Sequence, residues 1–235
     1  MTICVLGAGA FGTALAVAIS ETNDVTLWGR NPEKMAEIQR LRTCDRLPGI
    51  QIPHNITATA NLKDALGKAT FVLSAIPLQS TANAMEQVVP LMKGQPLIGC
   101  SKGMDLKRGT GGFSTLNDSY VQGPVGVLTG PSFAIDIAKG LPTALTLATD
   151  AVNNVETWQD QLSTNSLRLY GSDDPIGAEL GGALKNVIAI ACGAAMGAGL
   201  GESARAALMT RGNAEVMRFA LSRGARPETL AGLSG

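Results

Sequence analysis

Three glycines near the start of the chain constrain its fold more than any other feature. Gly7, Gly9 and Gly12 form the pattern G-x-G-x-x-G directly after an apolar run, Thr2–Leu6, and a helical pattern follows over residues 11–20. In a β-α-β unit the first glycine permits a tight turn, the second lets the backbone approach a pyrophosphate, and the third lets helix and strand pack closely. The pattern therefore predicts a Rossmann-type sheet that binds a dinucleotide at the amino end of its first helix.

The rest of the chain divides into two parts. Up to residue 174, short apolar runs alternate with helical patterns that start near Asn31, near Asn61 and after Pro77, as in β-α-β units around a parallel sheet. From Pro175 onward Ala, Leu and Gly recur at helical spacing. We predict an α/β fold: a Rossmann-type doubly wound sheet over residues 1–174, then an incomplete all-helical domain over residues 175–235. The predicted strands are residues 2–6, 25–28, 71–76, 97–100, 125–129, 144–148 and 167–170.

Composition narrows the possible partners. Lys plus Arg equal Asp plus Glu at 19 each, so the chain lacks the basic excess expected of a protein that binds nucleic acid or a membrane surface. The longest uncharged run, residues 186–201, is shorter than the roughly 20 residues that span a bilayer, and we expect a buried helix there rather than a membrane span. The partners we predict are a small-molecule substrate and, because the helical part is unfinished, a second copy of the chain in a homodimer.

The four cysteines bear on compartment and metal binding. They are far apart, with no C-x-x-C pair and no zinc-ligand spacing to the single histidine. We expect free thiols, no metal site and, since no signal-peptide pattern precedes the first strand, a cytoplasmic location. These residues are Cys4, Cys44, Cys100 and Cys192.

The end of the second predicted strand bears on the choice of cofactor. An Asp or Glu about 20 residues after the glycines would bond the 2′-hydroxyl of NAD, but here the strand ends in Trp28, Gly29 and Arg30. No carboxylate repels a 2′-phosphate, and the guanidinium of Arg30 can bind one with two hydrogen bonds. We predict NADP or NAD as cofactor, with NADP preferred. A solvated arginine at a strand end is the alternative.

Further segments carry a resemblance to a known family. They read SKG at 101–103, GPSFA at 130–134, GLPT at 140–143, LGGALKNVIAI at 180–190 and RAALMTRGNAE at 205–215. With the opening GAGAFGTALA, they make the chain similar to bacterial NAD(P)-dependent glycerol-3-phosphate dehydrogenases over essentially its whole length. The resemblance implies an oxidoreductase that transfers a hydride between NAD(P)H and dihydroxyacetone phosphate, giving sn-glycerol 3-phosphate for glycerophospholipid synthesis.

The same resemblance implies that this chain is C-terminally truncated. Complete relatives continue with an aspartate that partners the catalytic lysine and an arginine that holds phosphate and cofactor. We therefore expect little turnover from the 235 residues alone, because positioned charges supply much of an enzyme's rate. Two alternatives stay open: a related 3-hydroxyacid dehydrogenase, and a nucleotide-binding relative with impaired catalysis.

Lys185 is the strongest candidate for the chemistry. It is the only charged residue between Glu179 and Glu202, and burial in such an apolar helix would lower the pKa of its amine toward a range useful for proton transfer. A lysine that reaches solvent or caps a carbonyl is the alternative. The resemblance implies that Lys185 binds substrate and exchanges a proton with the oxygen on C2.

The remaining candidates follow predicted strand ends, where open α/β sheets bind ligands. By resemblance, Lys102 lies between cofactor and substrate and binds both. Gly130 and Ser132 occupy a strand-to-helix turn whose N–H groups and hydroxyl could hold substrate, or could simply cap the next helix. The resemblance adds three cofactor-binding residues, Ala10, Phe11 and Ala134.

Three other polar residues are weaker candidates. His54 lies in a loop with no paired nucleophile, which argues against a general base. Arg205 and Arg211 fit the solvated face of an amphipathic helix better than a phosphate site. We expect all three at the surface.

Overall fold

A computed structural model describes residues 1–234 as an α/β sheet followed by helices. The strands are β1 (Thr2–Leu6), β2 (Asp24–Trp28), β3 (Ile56–Thr59), β4 (Phe71–Ser74), β5 (Leu97–Gly99), β6 (Val125–Thr129), β7 (Thr143–Ala148) and β8 (Leu167–Ser172). The helices are α1 (Ala10–Ile19), α2 (Pro32–Leu41), α3 (Leu62–Gly67), α4 (Leu78–Val88), α5 (Gly112–Ser119), α6 (Ala134–Ala138), α7 (Val155–Leu162), α8 (Pro175–Gly197), α9 (Gly201–Ser222) and α10 (Pro227–Leu230).

All eight strands form one sheet in the order β3-β2-β1-β4-β5-β6-β7-β8. Neighbouring strands are parallel except β6 and β7, which pair antiparallel. The strand order reverses between β1 and β4, and ligands bind at such a switch point in open α/β sheets. The predicted doubly wound Rossmann-type fold is confirmed.

Helices cover both faces of the sheet, so the central strands are apolar on both sides. Ile3 and Val5 of β1 belong to the core beneath α1, α6 and α7, whereas Cys4 and Leu6 belong to the core beneath α3, α4 and α5. All four side chains are fully buried. The continuous apolar run that follows Met1 is therefore the signature of a central parallel strand.

One strand, β3, is missing from the sequence prediction. Its four residues pair only with β2 at the sheet edge, and their side chains alternate between buried and more exposed positions. A strand this short, preceded by Pro53 and Asn55, carries too little apolar pattern to distinguish it from a loop. The other predicted strands agree with the structure to within two residues at each end.

The predicted helix starts at two asparagines are confirmed. The side chain of Asn31 accepts a hydrogen bond from the amide of Lys34 at 3.0 Å, and Pro32 occupies the first turn of α2. Asn61 accepts from the amide of Lys63 at 3.1 Å to begin α3. Both are N-caps that satisfy free amides of the first helical turn.

The prediction that residues 186–201 form a buried helix is wrong. Residues 186–197 are the second half of a longer helix, α8, and residues 198–201 turn into α9. The first two turns of α8 pack on β6 and α5, and its later turns pack mainly on α9. Val187 and Ile190 are 62% and 73% exposed. Helical periodicity identified the helix, but it carries no information about what covers each turn.

By length and apolar composition alone, α8 is also sufficient to cross a membrane. Its amino-terminal turns pack on the sheet, however, and Glu179 there is buried. These first turns therefore belong to the folded core, whereas the later turns of α8 are largely exposed. The predicted absence of a membrane span stays a prediction.

The predicted domain boundary lies after residue 174. In the structure β8 ends at Ser172 and α8 begins at Pro175, so the boundary falls in a two-residue connection. The carboxylate of Asp174 accepts a hydrogen bond from the amide of Gly177 at 2.8 Å and caps α8. The division into two domains stays a prediction. Gly235, the last residue of the second predicted domain, lies outside the described residues.

Side-chain exposure agrees with several smaller predictions. All four cysteines are free and buried, and burial raises the pKa of Cys4 and of Cys100 to about 12, which makes these thiols unreactive. His54, Arg205 and Arg211 are exposed. Arg205 pairs with Glu202 at 2.6 Å on the surface of α9, as expected for a solvated helix face.

Candidate active site

A cavity of about 830 Å³ opens at the sheet's switch point, outside the carboxyl ends of β1, β2 and β4. The glycine-rich turn after β1 and the residues that follow β2 and β4 line it. Its volume falls within the range of small-molecule and cofactor sites. The lining includes Gly7, Gly9, Trp28, Arg30, Ile76 and Pro77.

Glycine suits each of the three positions in the turn after β1 for a different steric reason. Gly7 has φ +113°, which side-chain-bearing residues rarely adopt, and its amide donates to the carbonyl of Trp28 at 2.8 Å. A Cβ on Gly12 would overlap the carbonyl oxygen of Gly7, whereas a Cβ on Gly9 would meet nothing within 4 Å. The space beside Gly9 is therefore open to a ligand.

The amino end of α1 is prepared for an anion. Gly9 is its N-cap, no side chain caps its free amides, and its first turn has no acidic residue. Free amides and the helix dipole favour a phosphate at such a position. Together with the open space beside Gly9, this arrangement fits the pyrophosphate of a dinucleotide.

Arg30 lies exposed on the rim of the cavity, directly after β2. Two further cations line the same cavity, Lys34 on α2 and Arg46 in the following loop, which the sequence analysis missed. Within residues 1–234 none of the three forms a salt bridge. Two carboxylates, Glu37 and Asp45, line the cavity as well, and the preference for NADP stays a prediction.

Lys102 connects three elements at the carboxyl edge of the sheet. It follows β5, and its Nζ donates to the carbonyl of Gly130, at the end of β6, at 2.8 Å. The same Nζ lies 5.9 Å from the centre of the Phe11 ring in α1, which is within cation–π range. The side chain is half-buried, and this burial lowers the pKa of Lys102.

Lys185 lies on α8 one turn after Gly182, which packs against Thr129 at the end of β6. It is half-buried rather than fully buried, and its Nζ donates to the carbonyl of Leu233 at 3.4 Å. Burial, and then the positive charge of Lys102, lower the pKa of Lys185 to about 8. The structure thus brings the two predicted lysines together, one from each part of the chain.

The turn after β6 supplies enclosed hydroxyl groups. Gly130 has φ +154°, and a Cβ there would lie 2.9 Å from a methyl carbon of Leu145. Within the described residues, the hydroxyls of Ser132 and Thr129 are buried without hydrogen-bond partners. Burying a hydroxyl without a partner is costly, so these two groups are candidates to bind a ligand oxygen.

The other predicted site residues lie at helix starts near this region. Ala10 begins α1 and Ala134 begins α6, and these two helices pack against each other. Both alanines are partly buried against the same apolar core. Contact of either residue with a cofactor stays a prediction.

Phe11 joins the two halves of the site. Lys102 and Lys185 do not line the 830 Å³ cavity, but Phe11 lies between the glycine-rich turn and Lys102. An elongated ligand with phosphates at Gly9 would therefore have its two ends near Arg30 and near Lys102. This is the arrangement required for a dinucleotide that reacts beside the lysines.

Glu179 is the main site residue that sequence reasoning missed. Its buried carboxylate accepts hydrogen bonds from the Ser114 hydroxyl at 2.7 Å and the Ser114 amide at 3.1 Å. The sequence does carry a signal for a functional carboxylate here, because Glu179 is a single acidic residue in a run rich in Gly, Ala and Leu, six residues before Lys185. In the sequence, however, nothing links Glu179 to its partner Ser114.

Comparison with protein families gives two matches. The family model described as NAD-dependent glycerol-3-phosphate dehydrogenase N-terminus matches residues 2–155. The model for the C-terminus of the same family matches residues 174–235. Together they cover most of the chain.

Curated proteins of high similarity have the same name. The chain is 51% identical over 236 residues to glycerol-3-phosphate dehydrogenase (NAD(P)+) of Ruegeria sp. (strain TM1040), covering 100% of the chain and 73% of that protein. It is 52% identical over 233 residues to the Cereibacter sphaeroides enzyme of that name, covering 99% and 72%. The chain thus spans nearly three quarters of these relatives.

Solved structures agree with these matches. Glycerol-3-phosphate dehydrogenase from Coxiella burnetii matches with a TM-score of 0.92 and 34% identity, over 100% of this chain and 73% of that one. A ketopantoate reductase from Ralstonia eutropha JMP134 matches with a TM-score of 0.67 and 16% identity, over 98% and 78%. The second likeness extends to the fold alone.

Two alanine substitutions should separate cofactor binding from folding. Gly9→Ala should weaken NADPH binding about tenfold or more, since its Cβ enters the space open to phosphate. The same change should leave the thermal midpoint almost unchanged, whereas Gly12→Ala should cost about 1–3 kcal/mol of stability by forcing the Gly7 carbonyl to move. Fluorescence titration with NADPH and thermal unfolding measure both effects. Wild-type affinity in Gly9→Ala would place the phosphates elsewhere.

Proposed function

The chain belongs to the NAD-dependent glycerol-3-phosphate dehydrogenase family, and on that premise we propose that Lys185 and Lys102 carry out the family's reaction in it. The chain is an NAD(P)-dependent oxidoreductase that interconverts dihydroxyacetone phosphate and sn-glycerol 3-phosphate, a step toward glycerophospholipids. The observation that carries the assignment of roles is that both lysines meet the end of β6, at the carboxyl edge of the sheet. Lys102 binds the carbonyl of Gly130, and α8, which carries Lys185, packs against Thr129.

The dinucleotide belongs at the switch point. Gly7 and Gly12 shape the turn that holds its pyrophosphate beside Gly9 at α1. Arg30 binds the ribose end, where a 2′-phosphate makes NADP the preferred cofactor. Ala10, Phe11, Lys102 and Ala134 complete its site. When bound, the nicotinamide supplies a hydride to C2 of dihydroxyacetone phosphate or accepts it in the reverse direction.

Lys185 moves the proton. In ketone reduction its ammonium group donates a proton to the oxygen on C2, and in alcohol oxidation the neutral amine accepts that proton. A pKa of about 8 makes both forms accessible near neutral pH, because burial and the Lys102 charge disfavour the ammonium form. An ordinary exposed lysine would remain protonated and would be a poor base.

Lys102 supplies a fixed positive charge. Its contacts with the Gly130 carbonyl and the Phe11 ring hold the ammonium in place before substrate binds. A preorganised charge stabilises negative charge on the reacting oxygen or on the phosphate without a further cost of reorganisation. The turn at Gly130 and the hydroxyl of Ser132 hold the substrate beside it.

The alternative activities are not favoured. The relatives that match the whole chain at about half identity carry the glycerol-3-phosphate name, which argues against a 3-hydroxyacid dehydrogenase and against a relative that only binds nucleotide. A direct test is the oxidation of NADPH with dihydroxyacetone phosphate or a 3-oxo acid. Oxidation that needs the phosphate supports the proposal, and oxidation only with the 3-oxo acid contradicts it.

Two broader assignments complete the proposal. We assign residues 1–174 to the dinucleotide-binding domain and residues 175–235 to the helical substrate domain, since the chain passes from β8 to α8 within two residues. We place the enzyme in the cytoplasm. The free and buried state of all four cysteines supports this location.

Replacing Lys185 should remove the proton transfer. Measured against the wild-type chain's own rate, even where that rate is low, Lys185→Ala should lower kcat for dihydroxyacetone phosphate reduction by about 10²- to 10⁴-fold. In the wild type, reduction should slow as pH rises through about 8, because the ammonium donor is lost, whereas glycerol 3-phosphate oxidation should speed up over the same range. Lys68→Ala, at an exposed lysine on α3's carboxyl end, is the control. Near-normal turnover in Lys185→Ala would refute the role.

Charge reversal at Arg30 should change the cofactor preference. Arg30→Asp should lower the ratio of kcat/KM for NADPH to that for NADH by roughly 10- to 100-fold, the size of one lost charge-assisted contact. Arg40→Asp makes the same charge change on α2 outside the cavity lining. An unchanged ratio in Arg30→Asp would leave Arg30 as a solvated side chain.

We propose that a second copy of the chain covers the apolar face of α8 and α9. Val187 and Ile190 on α8, Leu200 in the connection and Met209 on α9 are exposed. Exposed apolar patches mark interaction surfaces. Sedimentation equilibrium should give twice the mass of one chain. Ile190→Glu should shift the distribution to monomer, whereas Ser222→Glu, which adds the same charge at the exposed end of α9, should not. A monomeric wild type would contradict the homodimer.

A further inference from the structure

Helix α5 has no N-cap of its own. Its N-cap position is Gly111, and no side chain near it in sequence accepts from the first amides of the helix. A carboxylate from α8 takes that place: Glu179 accepts from the amide and the hydroxyl of Ser114 at 3.1 and 2.7 Å. A Cβ on Gly111 would overlap this carboxyl group. Glu179 therefore caps α5 from the other part of the chain.

The amino end of α5 packs directly on the loop that carries Lys102. A Cβ built on Gly112, the first residue of α5, would lie 3.4 Å from the carbonyl oxygen of Ser101. Ser101 immediately precedes Lys102. A shift of this end of α5 would therefore be transmitted to Lys102 through backbone contacts.

The loop between β5 and α5 is held together by its own hydrogen bonds. The carboxylate of Asp105 accepts from the amides of Lys107 and Arg108 at 2.8 and 2.9 Å. The side chain of Gln79 on α4 anchors the unit from one side, donating to the carbonyl of Met104 at 2.8 Å. The Glu179 contact anchors it from the other side, on α8.

Glu179 and Lys185 share one continuous helix, six residues apart. Within residues 1–234, Glu179 forms no salt bridge with either lysine. Its contribution is therefore not the neutralisation of their charges. It fixes the distance between the helix that carries Lys185 and the loop that carries Lys102.

We propose that Glu179 is a positioning residue of the dehydrogenase site, which holds Lys102 and Lys185 close together by capping α5 from α8. The proposal rests on the roles given above to the two lysines. Without this cap, the repulsion between the two ammonium groups drives Lys102 and Lys185 apart. Lys185 is then more exposed, and its pKa approaches that of an ordinary lysine. Burial raises the pKa of Glu179, and the surrounding amides and hydroxyl oppose that rise by stabilising the carboxylate.

The test is the pKa of the Lys185 amine, measured by ¹³C NMR on the reductively methylated chain, with Lys185→Arg to assign the resonance. In Glu179→Ala this pKa should rise from about 8 toward the ordinary 10.5 by about one unit or more. In Glu179→Gln, which keeps an oxygen acceptor for Ser114, the rise should be smaller. Steady-state rates with dihydroxyacetone phosphate should show a lower kcat with a smaller change in KM.

A matched control separates positioning from general destabilisation. Asp174→Ala removes the carboxylate that caps α8 itself, five residues earlier, and leaves the α5 contact intact. It should lower thermal stability and leave the Lys185 pKa unchanged. A Lys185 pKa that moves equally in Asp174→Ala would overturn the proposal.

A second variant covers the case in which Glu179→Ala does not fold. Ser114→Ala removes the 2.7 Å donor from the other side of the same contact and should raise the Lys185 pKa as Glu179→Gln does. If both variants fold and the pKa stays at its wild-type value, the proposal fails. The NMR readout needs no turnover, so a missing activity and a missing positioning effect are distinguishable outcomes.

Discussion

Two ammonium groups repel each other, yet Lys102 and Lys185 share one half-buried region at the carboxyl edge of the sheet. The rest of the site depends on holding them there. Lys102 is fixed by the Gly130 carbonyl, and α8 carries Lys185 to it from the helical part. The like charge and the burial make Lys185 an effective proton donor and acceptor, since both act against its ammonium form. The packing that keeps the two like charges together therefore lowers the pKa of the Lys185 amine.

The cofactor side follows from a different constraint, the close packing of the first turn. Gly12 lets α1 approach β1, and this approach sets the direction of α1 and the position of Phe11 in its first turn. Phe11 then contacts Lys102. The same turn that opens a space for pyrophosphate at Gly9 thus also fixes the distance from that space to the lysines. Hydride and proton transfer need this fixed relation, because misplaced reacting groups lose much of the rate.

Much of this arrangement could be predicted from sequence, since the fold's key positions have steric or capping reasons that a single residue type satisfies. Gly7, Asn31 and Asn61 are examples. The features that were predicted wrongly or missed depend on contacts between residues that are distant in sequence. The edge strand β3 is defined by its pairing with β2 rather than by its own pattern, and the exposure of Ile190 depends on what packs against α8. Glu179 was missed because its partner, Ser114, lies 65 residues away.

The cofactor cavity and the region of the two lysines together form one site. The most direct test is the dissociation constant of NADP+, measured by calorimetry with and without saturating sn-glycerol 3-phosphate. A shared site predicts that the phosphate tightens NADP+ binding by about fivefold or more, and that Lys185→Ala removes this coupling while leaving the affinity for NADP+ alone unchanged. An NADP+ affinity that is the same with and without sn-glycerol 3-phosphate would mean that the two halves bind independently, and would contradict the account.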